Sequence, residues 1–139
     1  MKYTRADFQR ALSSPYLQAF LEVIRTGEGT LGSDGYRTHF GGSLFSSFAD
    51  HPRKVISAKS GRQTLHSSAA GAYQFLSKTW DGLVKQYGFS DFSPASQDEA
   101  AVALIAGRGA LEDVLANRFE EAVAKCAKEW ASLPGSPYG

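Results

Sequence analysis

The amino-acid sequence predicts an α+β fold that is mostly helical, with one small irregular β region. Several segments carry apolar residues at three- and four-residue spacing and are bounded by capping residues, which is typical of amphipathic helices. From Gly29 to about Ser68 this period is lost, and closely spaced glycines with short apolar runs indicate short strands and ordered loops. The chain has 139 residues, the length of one ordinary domain. We therefore expect a single domain over residues 1–139.

Two helices are predicted before the glycine-rich region. Thr4 followed by Asp7 has the pattern of a capping box, which predicts a short first helix. Pro15 fits the first position of a second helix, because its missing N–H is not needed there. The apolar spacing carries this second helix to about Thr26, and Gly27 fits its C-cap.

The remaining helices follow the β region and bring the expected total to five or six. Each is bounded by a proline, a glycine or a polar cap, as helix ends usually are. They are Ser77 to Tyr87, closed by Gly88; an alanine-rich helix opened by Ser93 and Pro94; the short stretch ALEDVLANRF; and EEAVAKCAKEWASL, stopped by Pro134 and Gly135.

Composition and charge exclude several functions. The formal net charge is +1, so the chain lacks the basic excess of a nucleic-acid-binding domain. No run of about 18 apolar residues is present, and we expect no membrane insertion. The opening residues MKYTRADFQRALSSPY have no apolar core of a secretory signal, so we expect synthesis and initial retention in the cytosol. The single cysteine, Cys126, lies in an apolar helical pattern and is interpreted as a buried thiol.

Metal and nucleophilic chemistry find no support in the motifs. His39, His51 and His66 are 12 and 15 residues apart, a spacing that does not match a zinc site, and no HExxH is present. A GxSxG nucleophile motif is absent, and the glycine-rich GTLGSDG lacks the lysine of a phosphate-binding loop. We expect no cofactor and no metal.

One carboxylate stands in an unusual place. Glu28 lies between Gly27 and Gly29, where the second helix is predicted to end. The negative end of a helix dipole disfavours a charged carboxyl, so the pKa of Glu28 should be raised. A carboxyl with a raised pKa can act as a general acid near neutral pH. The flanking residues alone also allow an ordinary loop carboxylate that makes a hydrogen bond.

A second feature is the stretch SSAAGAYQF, residues 67–75. Small residues around Gly71 would let a sugar ring approach the backbone, Gln74 offers a donor and an acceptor, and Tyr73 offers a flat apolar face. We place Tyr73 and Gln74 at the start of a helix. An equally good interpretation is tight helix packing around a buried aromatic ring.

These pieces occur in one order along the chain and together resemble a known family. GEGT, GYRTHFGGSLF, FADHPRK, SSAAGAYQFLSKTWD, DFSPASQD, RGAL and CAKEWASLPGSPYG are similar to segments of the bacteriophage lambda endolysin family, phage lytic transglycosylases of the lysozyme-like superfamily. The resemblance covers about Leu17 to Gly139. It implies a lysozyme-like fold in which the β region forms one lip of a cleft. It also implies that Glu28 is the catalytic acid and that Gly71, Tyr73 and Gln74 line the substrate cleft.

The implied reaction is cleavage of peptidoglycan between N-acetylmuramic acid and N-acetylglucosamine without water. Glu28 would serve first as acid and then as base, and the product would be a 1,6-anhydro sugar. A hydrolytic muramidase on the same fold is the alternative, and it requires a carboxylate that activates water. Asp34 and Asp50 are the candidates for that part, although Asp50 and His51 fit turn positions at least as well. A non-catalytic peptidoglycan-binding module is a further alternative, disfavoured because Glu28 is present.

The resemblance also implies where the protein acts. It would remain in the cytoplasm of the host bacterium until the membrane is permeabilised, and then reach the periplasm and the cell wall. Export would depend on a holin-type pore. Peptidoglycan is then the expected partner, and we expect a monomer.

Overall fold

The computed structural model describes residues 2–133, which divide into two compact units. The terminal unit comprises residues 2–28 and 98–133, and the central unit comprises Gly29–Gln97. In chain order the elements are α1 (Arg5–Ala11), α2 (Pro15–Glu28), a 3-10 helix (Ser33–Arg37), β1 (Ile56–Ser60), β2 (Gln63–Ser67), α3 (Ser77–Tyr87), α4 (Pro94–Gly107), α5 (Leu111–Leu115) and α6 (Phe119–Cys126). Within the described chain these are six α-helices and one small sheet, and the predicted α+β class is confirmed.

The caps predicted from the sequence begin the first two helices of the terminal unit. Thr4 Oγ1 accepts a hydrogen bond from the Asp7 N–H at 3.3 Å, and the Asp7 carboxylate accepts one from the Thr4 N–H at 2.6 Å. This reciprocal pair confirms the capping box. α2 begins at Pro15, as predicted, since the ring fixes a helical φ.

The apolar faces of these helices build the core of the terminal unit. α2 contacts α5, and α5 contacts α6. The rings of Phe20 and Phe119 meet edge to face with centroids 5.5 Å apart. Cys126 is fully buried, which confirms the predicted buried thiol, and burial raises its pKa to about 12. Between residues 2 and 133, every helix is too short or too polar to cross a membrane.

The predicted end of α2 is wrong by two residues. The helix continues through Gly27 to Glu28, and the stop is Gly29, which adopts the left-handed conformation with φ 75°. A glycine inside a helix costs only about 1 kcal/mol, so it need not end the helix. The following glycine can take the left-handed conformation that ends it. Glu28 is therefore the last helical residue.

The last helix is shorter than predicted. α6 ends at Cys126, although Trp130 and Leu133 beyond it are both buried. The apolar pattern that predicted a longer helix continues through turns that bury the same kind of side chain. The predicted stop at Pro134 and Gly135 lies outside the described residues.

The central unit contains the predicted short strands and ordered loops. β1 and β2 form an antiparallel hairpin in which Ser60 pairs with Gln63 and Ile56 pairs with Ser67. An isolated bridge joins His39 to Ala70, and so ties the loop region to the segment that follows the hairpin. α3 then ends at Tyr87 and is closed by Gly88, as predicted, with φ 76° at the glycine.

Aromatic rings fill the core of this unit. The Trp80 ring meets Phe92 edge-on at 4.8 Å and stacks against Phe89 at 5.4 Å. Phe92 also packs near Phe75 at 6.2 Å and His51 at 5.0 Å. Such ring pairs contribute stability beyond their buried area. They give the loop-rich central unit a core of its own.

Candidate active site

Glu28 closes the last turn of α2 in the terminal unit and is half-buried. Its carboxyl accepts a hydrogen bond from a distant side chain, since Ser132 Oγ donates to Glu28 Oε2 at 2.5 Å. Gly29, in the left-handed conformation, ends the helix immediately after this residue. Its position at the C-terminal end of α2 places Glu28 at the negative end of the helix dipole, where a negative charge is not favoured.

The electrostatics of this carboxyl suit proton transfer. Burial raises the pKa of Glu28, and the hydrogen bond from Ser132 opposes part of that rise by favouring the charged form. The prediction of a raised pKa is confirmed in direction, with burial as its main cause. By contrast, hydrogen bonds hold the pKa values of Asp7, Asp50 and Asp113 below their usual range.

Gly71, Tyr73 and Gln74 share one tight turn in the central unit. Ala70 and Phe75 exchange both backbone hydrogen bonds, at 3.0 and 2.9 Å, and close the turn. Gly71 has φ 86° and Gln74 has φ 51°, both in the left-handed region. The prediction that a helix begins at Tyr73 and Gln74 is wrong, since α3 begins at Ser77. A Cβ atom on Gly71 would lie 2.9 Å from the Phe92 ring, so the turn has no room for a larger residue at this position.

The side chains of this turn point to different surroundings. The Tyr73 ring is only 2% exposed and packs 6.0 Å from Phe75, so the alternative interpretation of a buried aromatic ring is confirmed for this residue. Gln74 Nε2 donates to the carbonyl oxygens of Thr38 at 3.0 Å and Gly71 at 2.9 Å. The amide of Gln74 thereby braces the turn, and Gln74 itself is partly exposed.

Gln97, which the sequence analysis did not single out, holds the same turn in place through hydrogen bonds. Gln97 is fully buried, and its Oε1 accepts a hydrogen bond from the Ala72 N–H at 2.9 Å. Its Nε2 donates to the carbonyl oxygens of Tyr36 at 2.9 Å and Phe92 at 2.8 Å. The sequence did contain a signal for this residue. Gln97 lies three and four positions before Ala100 and Ala101, and this spacing puts it on the same face of the alanine-rich helix that was predicted to be buried.

Thr30 adds a further bond to the turn. Its hydroxyl donates to the carbonyl oxygen of Ala72, and Thr30 is 2% exposed. Because Thr30 lies two residues after Glu28 in the sequence, the chain that leaves α2 is anchored to the Gly71–Phe75 turn within the central unit. No local pattern singled out this threonine.

The two other candidate carboxylates are each paired with an arginine. Asp34 and Arg37 form an ion pair at 2.9 Å within the 3-10 helix. Asp50 pairs with Arg53 at 2.9 Å and accepts a hydrogen bond from the His51 N–H at 2.8 Å. The turn role expected for Asp50 is confirmed by that backbone bond.

His51 holds the loop before β1 onto the turn. Its Nδ1 accepts a hydrogen bond from the Arg53 N–H at 2.8 Å, so the ring proton lies on Nε2, which donates to Phe75 O at 2.8 Å. Burial lowers the pKa of His51, and the ring is neutral in this arrangement. His39 is buried beside Phe45, whereas His66 is exposed on β2. Within residues 2–133, no group of three or more histidine, cysteine, aspartate or glutamate side chains is arranged to hold a metal ion.

Comparison with known proteins decides the family. A profile of the family described as Endolysin matches residues 18–139. This chain belongs to the endolysin family. It is 41% identical to the endolysin of Escherichia phage lambda over 128 aligned residues, which cover 88% of this chain and 79% of that protein. It is 39% identical to the endolysin of Escherichia phage P2, with 88% of this chain and 82% of that protein covered.

Solved structures agree with the endolysin assignment. This chain is similar to a lysozyme from bacteriophage lambda with a TM-score of 0.79 and 40% identity, over 89% of this chain and 82% of that one. A second structure of bacteriophage lambda lysozyme, complexed with a chitohexasaccharide, gives a TM-score of 0.78 and 39% identity over the same shares. The predicted lysozyme-like fold and the predicted family resemblance are confirmed. The roles of Glu28, Gly71, Tyr73 and Gln74 in this endolysin stay predictions.

Proposed function

We propose that this chain degrades peptidoglycan by cleaving the β-1,4 bond between N-acetylmuramic acid and N-acetylglucosamine, with Glu28 as the catalytic acid. The observation that carries the proposal is the half-buried carboxyl of Glu28 at the end of α2, whose pKa is raised by burial. A carboxyl of this kind retains its proton closer to neutral pH and can give it to a leaving oxygen. Membership of the endolysin family supports the same role.

The proposed chemistry is lytic transglycosylation and needs one carboxyl. Glu28 gives its proton to the glycosidic oxygen, while the 2-acetamido oxygen of the substrate supports the positive charge at C1. Glu28 is then a carboxylate and takes the proton of the muramic acid C6 hydroxyl, which attacks C1 and closes the 1,6-anhydro ring. The same residue acts in both directions, as microscopic reversibility allows.

The state of the other carboxylates favours this reaction over hydrolysis. A hydrolase of the inverting or retaining kind uses a second carboxyl group as base or nucleophile. Asp34 and Asp50 are the two candidates, and the carboxylate of each forms an ion pair with an arginine at 2.9 Å. For Asp50 the hydrogen bond from Arg53 also lowers the pKa of the carboxyl, which makes it a weaker base towards water. A hydrolytic muramidase on this fold is therefore the second choice.

The Gly71–Phe75 turn is the proposed sugar-binding element. Its backbone is fixed by Gln97 and Thr30, and Gln74 is partly exposed beside it. A backbone that is already ordered lets a sugar ring approach the turn closely at Gly71, with a smaller entropic cost of ordering on binding. The bacteriophage lambda lysozyme was solved with a chitohexasaccharide, and we propose a related glycan chain as the ligand here.

The remaining features of the proposal concern the whole chain. It acts as a single lysozyme-like catalytic domain, as a monomer and without a cofactor. It stays in the host cytoplasm until the membrane is permeabilised, and a holin-type pore then admits it to the periplasm and cell wall. Appearance of the protein in the periplasm of intact cells that express it alone would contradict this route.

The test is mass spectrometry of the fragments released from purified peptidoglycan by the parent chain and by Glu28→Gln. We expect anhydro-muropeptides from the parent and a loss of at least about a thousandfold in the variant, because the amide cannot donate the proton. Asp34→Asn is the matched control and should retain most of the activity. Circular dichroism spectra of the variants should overlay on that of the parent.

The released products distinguish the three hypotheses, namely a transglycosylase, a muramidase and a non-catalytic binding module. Anhydro-muropeptides support transglycosylation, whereas reducing ends that incorporate labelled oxygen from water indicate the muramidase. Binding to peptidoglycan with no release of fragments indicates a non-catalytic binding module. Full activity of Glu28→Gln would overturn the role of Glu28 in either enzyme.

A further inference from the structure

One hydroxyl outside the predicted site contacts the proposed catalytic acid. Ser132 lies 104 residues after Glu28, and its Oγ donates a hydrogen bond to Glu28 Oε2 at 2.5 Å. Hydrogen bonds to carboxylate oxygens at this distance are short and comparatively strong. Since Ser132 is exposed on the surface of the terminal unit, core packing does not explain why a serine stands there.

The backbone around Ser132 is held by buried neighbours. Trp130 is 2% exposed and Leu133 is 3% exposed, and the Leu133 N–H donates to the Trp130 carbonyl oxygen at 3.1 Å. The Trp130 N–H in turn donates to the carbonyl oxygen of Cys126, at the end of α6. The buried side chains of Trp130 and Leu133 therefore hold the backbone on both sides of Ser132 in place.

Gly27 gives independent support for the same contact. It lies inside α2 with an ordinary helical backbone, so no left-handed conformation requires a glycine there. A Cβ atom at this position would lie 2.5 Å from Ser132 Oγ and 2.8 Å from Ser132 Cβ. Glycine is unfavourable in a helix interior. Here its absent side chain leaves the space that Ser132 needs to reach Glu28.

We propose that Ser132 is a positioning residue whose hydroxyl occupies Glu28 Oε2, fixes the plane of the carboxyl, and leaves Oε1 as the oxygen that gives and takes the reacting proton. This inference rests on the proposed catalytic role of Glu28. It assigns to Ser132 and Gly27 a function that neither the apolar pattern nor the helix caps indicate.

The proton balance follows from the direction of this bond. The proton on Oε1 moves to the glycosidic oxygen as the C1–O bond breaks, and the resulting carboxylate is stabilised at Oε2 by the Ser132 O–H. Oε1 then takes the proton of the C6 hydroxyl as the O6–C1 bond forms, and Glu28 returns to its protonated state. Ser132 keeps its own proton throughout and never contacts a reacting atom.

The first test is Ser132→Ala, assayed by clearing of purified peptidoglycan between pH 4 and pH 9. We expect the rate at saturating substrate to fall roughly tenfold, as loss of one hydrogen bond to a charged group implies, with little change in the half-saturating concentration. The alkaline limb should move to higher pH, because the carboxylate form of Glu28 loses its stabilising donor. Ser132→Thr keeps a hydroxyl and should recover most of the rate.

The second test displaces the serine without removing its hydroxyl. Gly27→Ala should lower the rate in the same direction as Ser132→Ala, although alanine favours the helix. Gly107→Ala is the matched control, since Gly107 likewise lies in the last turn of a helix and an added Cβ there meets nothing within 4 Å. The double variant should lose less than the product of the two single losses, because both changes remove one contact.

Stability measurements separate positioning from support of the fold. Ser132→Ala should keep the melting temperature of the parent, as should Ser13→Ala, which removes another exposed and hydrogen-bonded hydroxyl. A Ser132→Ala variant with parental rates and an unmoved alkaline limb would overturn the inference. Lower activity with a lower melting temperature and an unchanged pH profile would overturn it too. An active Glu28→Gln would instead remove the proposed function on which it rests.

Discussion

The two regions that carry the predicted site residues are held in opposite ways. In the terminal unit, the Glu28 carboxyl is half-buried and accepts a hydrogen bond from the hydroxyl of the exposed Ser132. In the central unit, the Gly71–Phe75 turn is fastened by backbone bonds and by the buried amide of Gln97. Burial thus disfavours the charged form of the proposed catalytic carboxyl, whereas hydrogen bonds hold the backbone of the proposed binding element in place. Changes in the first region should affect chemistry, and changes in the second should affect stability.

The largest expected effect on stability is at Gln97. Gln97→Ala removes three hydrogen bonds, two of them fully buried, and leaves the Ala72 N–H unsatisfied next to a new cavity. The free energy of unfolding should fall by about 3 kcal/mol or more in urea denaturation. Gln86→Ala, at an exposed position of α3, should change it by less than about 0.5 kcal/mol. A loss below about 1 kcal/mol for Gln97→Ala would show that the turn does not depend on this amide.

The next effect is at Gly71. Gly71→Ala places a Cβ at 2.9 Å from the Phe92 ring in a backbone with φ 86°, so both contact and conformation oppose it. We expect a loss of about 2–4 kcal/mol. Gly82→Ala in α3 meets nothing within 4 Å and should instead stabilise by up to about 1 kcal/mol. Equal effects of the two changes would contradict the special geometry assigned to the turn.

A smaller effect should appear with pH at His51. Burial lowers the pKa of His51 in the folded chain, so its contribution to stability is present above the unfolded value of about 6.5 and is lost as pH falls through the folded value. The free energy of unfolding should therefore fall below pH 6.5 by up to about 1.4 kcal/mol per pH unit from this group. His51→Gln should flatten this dependence. His66→Gln, on the exposed hairpin, is the control and should leave the slope as in the parent.

The smallest effect on stability, and of opposite sign, is expected at Glu28. Burial raises the pKa of Glu28, so the folded chain binds this proton more tightly than the unfolded chain does. The stability that this proton contributes is present below the unfolded pKa and is lost as pH rises through the folded pKa. Glu28→Gln should melt slightly above the parent at pH 7.5 and level with it near pH 4, while activity is lost. A lower melting temperature at pH 7.5 would show that the carboxylate supports the fold, and would remove the contrast between the two regions.

Local chemistry allowed much of the fold to be predicted from the sequence. The capping box at Thr4, the proline at the start of α2 and the glycine after α3 act within a few residues, so the pattern alone locates them. The end of α2 could not be placed, because Gly27 and Gly29 are both compatible with a stop. The reason for Gly27 lies in Ser132, more than a hundred residues away along the chain.

The features of the candidate site also fall into those that local sequence specifies and those that contacts between distant residues specify. The sequence by itself singled out Glu28 as the unusual carboxylate, because an acid between two glycines at a helix end is a local pattern. It also indicated a close backbone approach at Gly71, because the residues around it are small. Only the tertiary structure decided that the Tyr73 ring is buried, that Gln97 fixes the turn and that Ser132 reaches Glu28. The physical reason is that burial and side-chain hydrogen bonds join residues distant in the chain, and no local pattern of residue types specifies which distant partner each one meets.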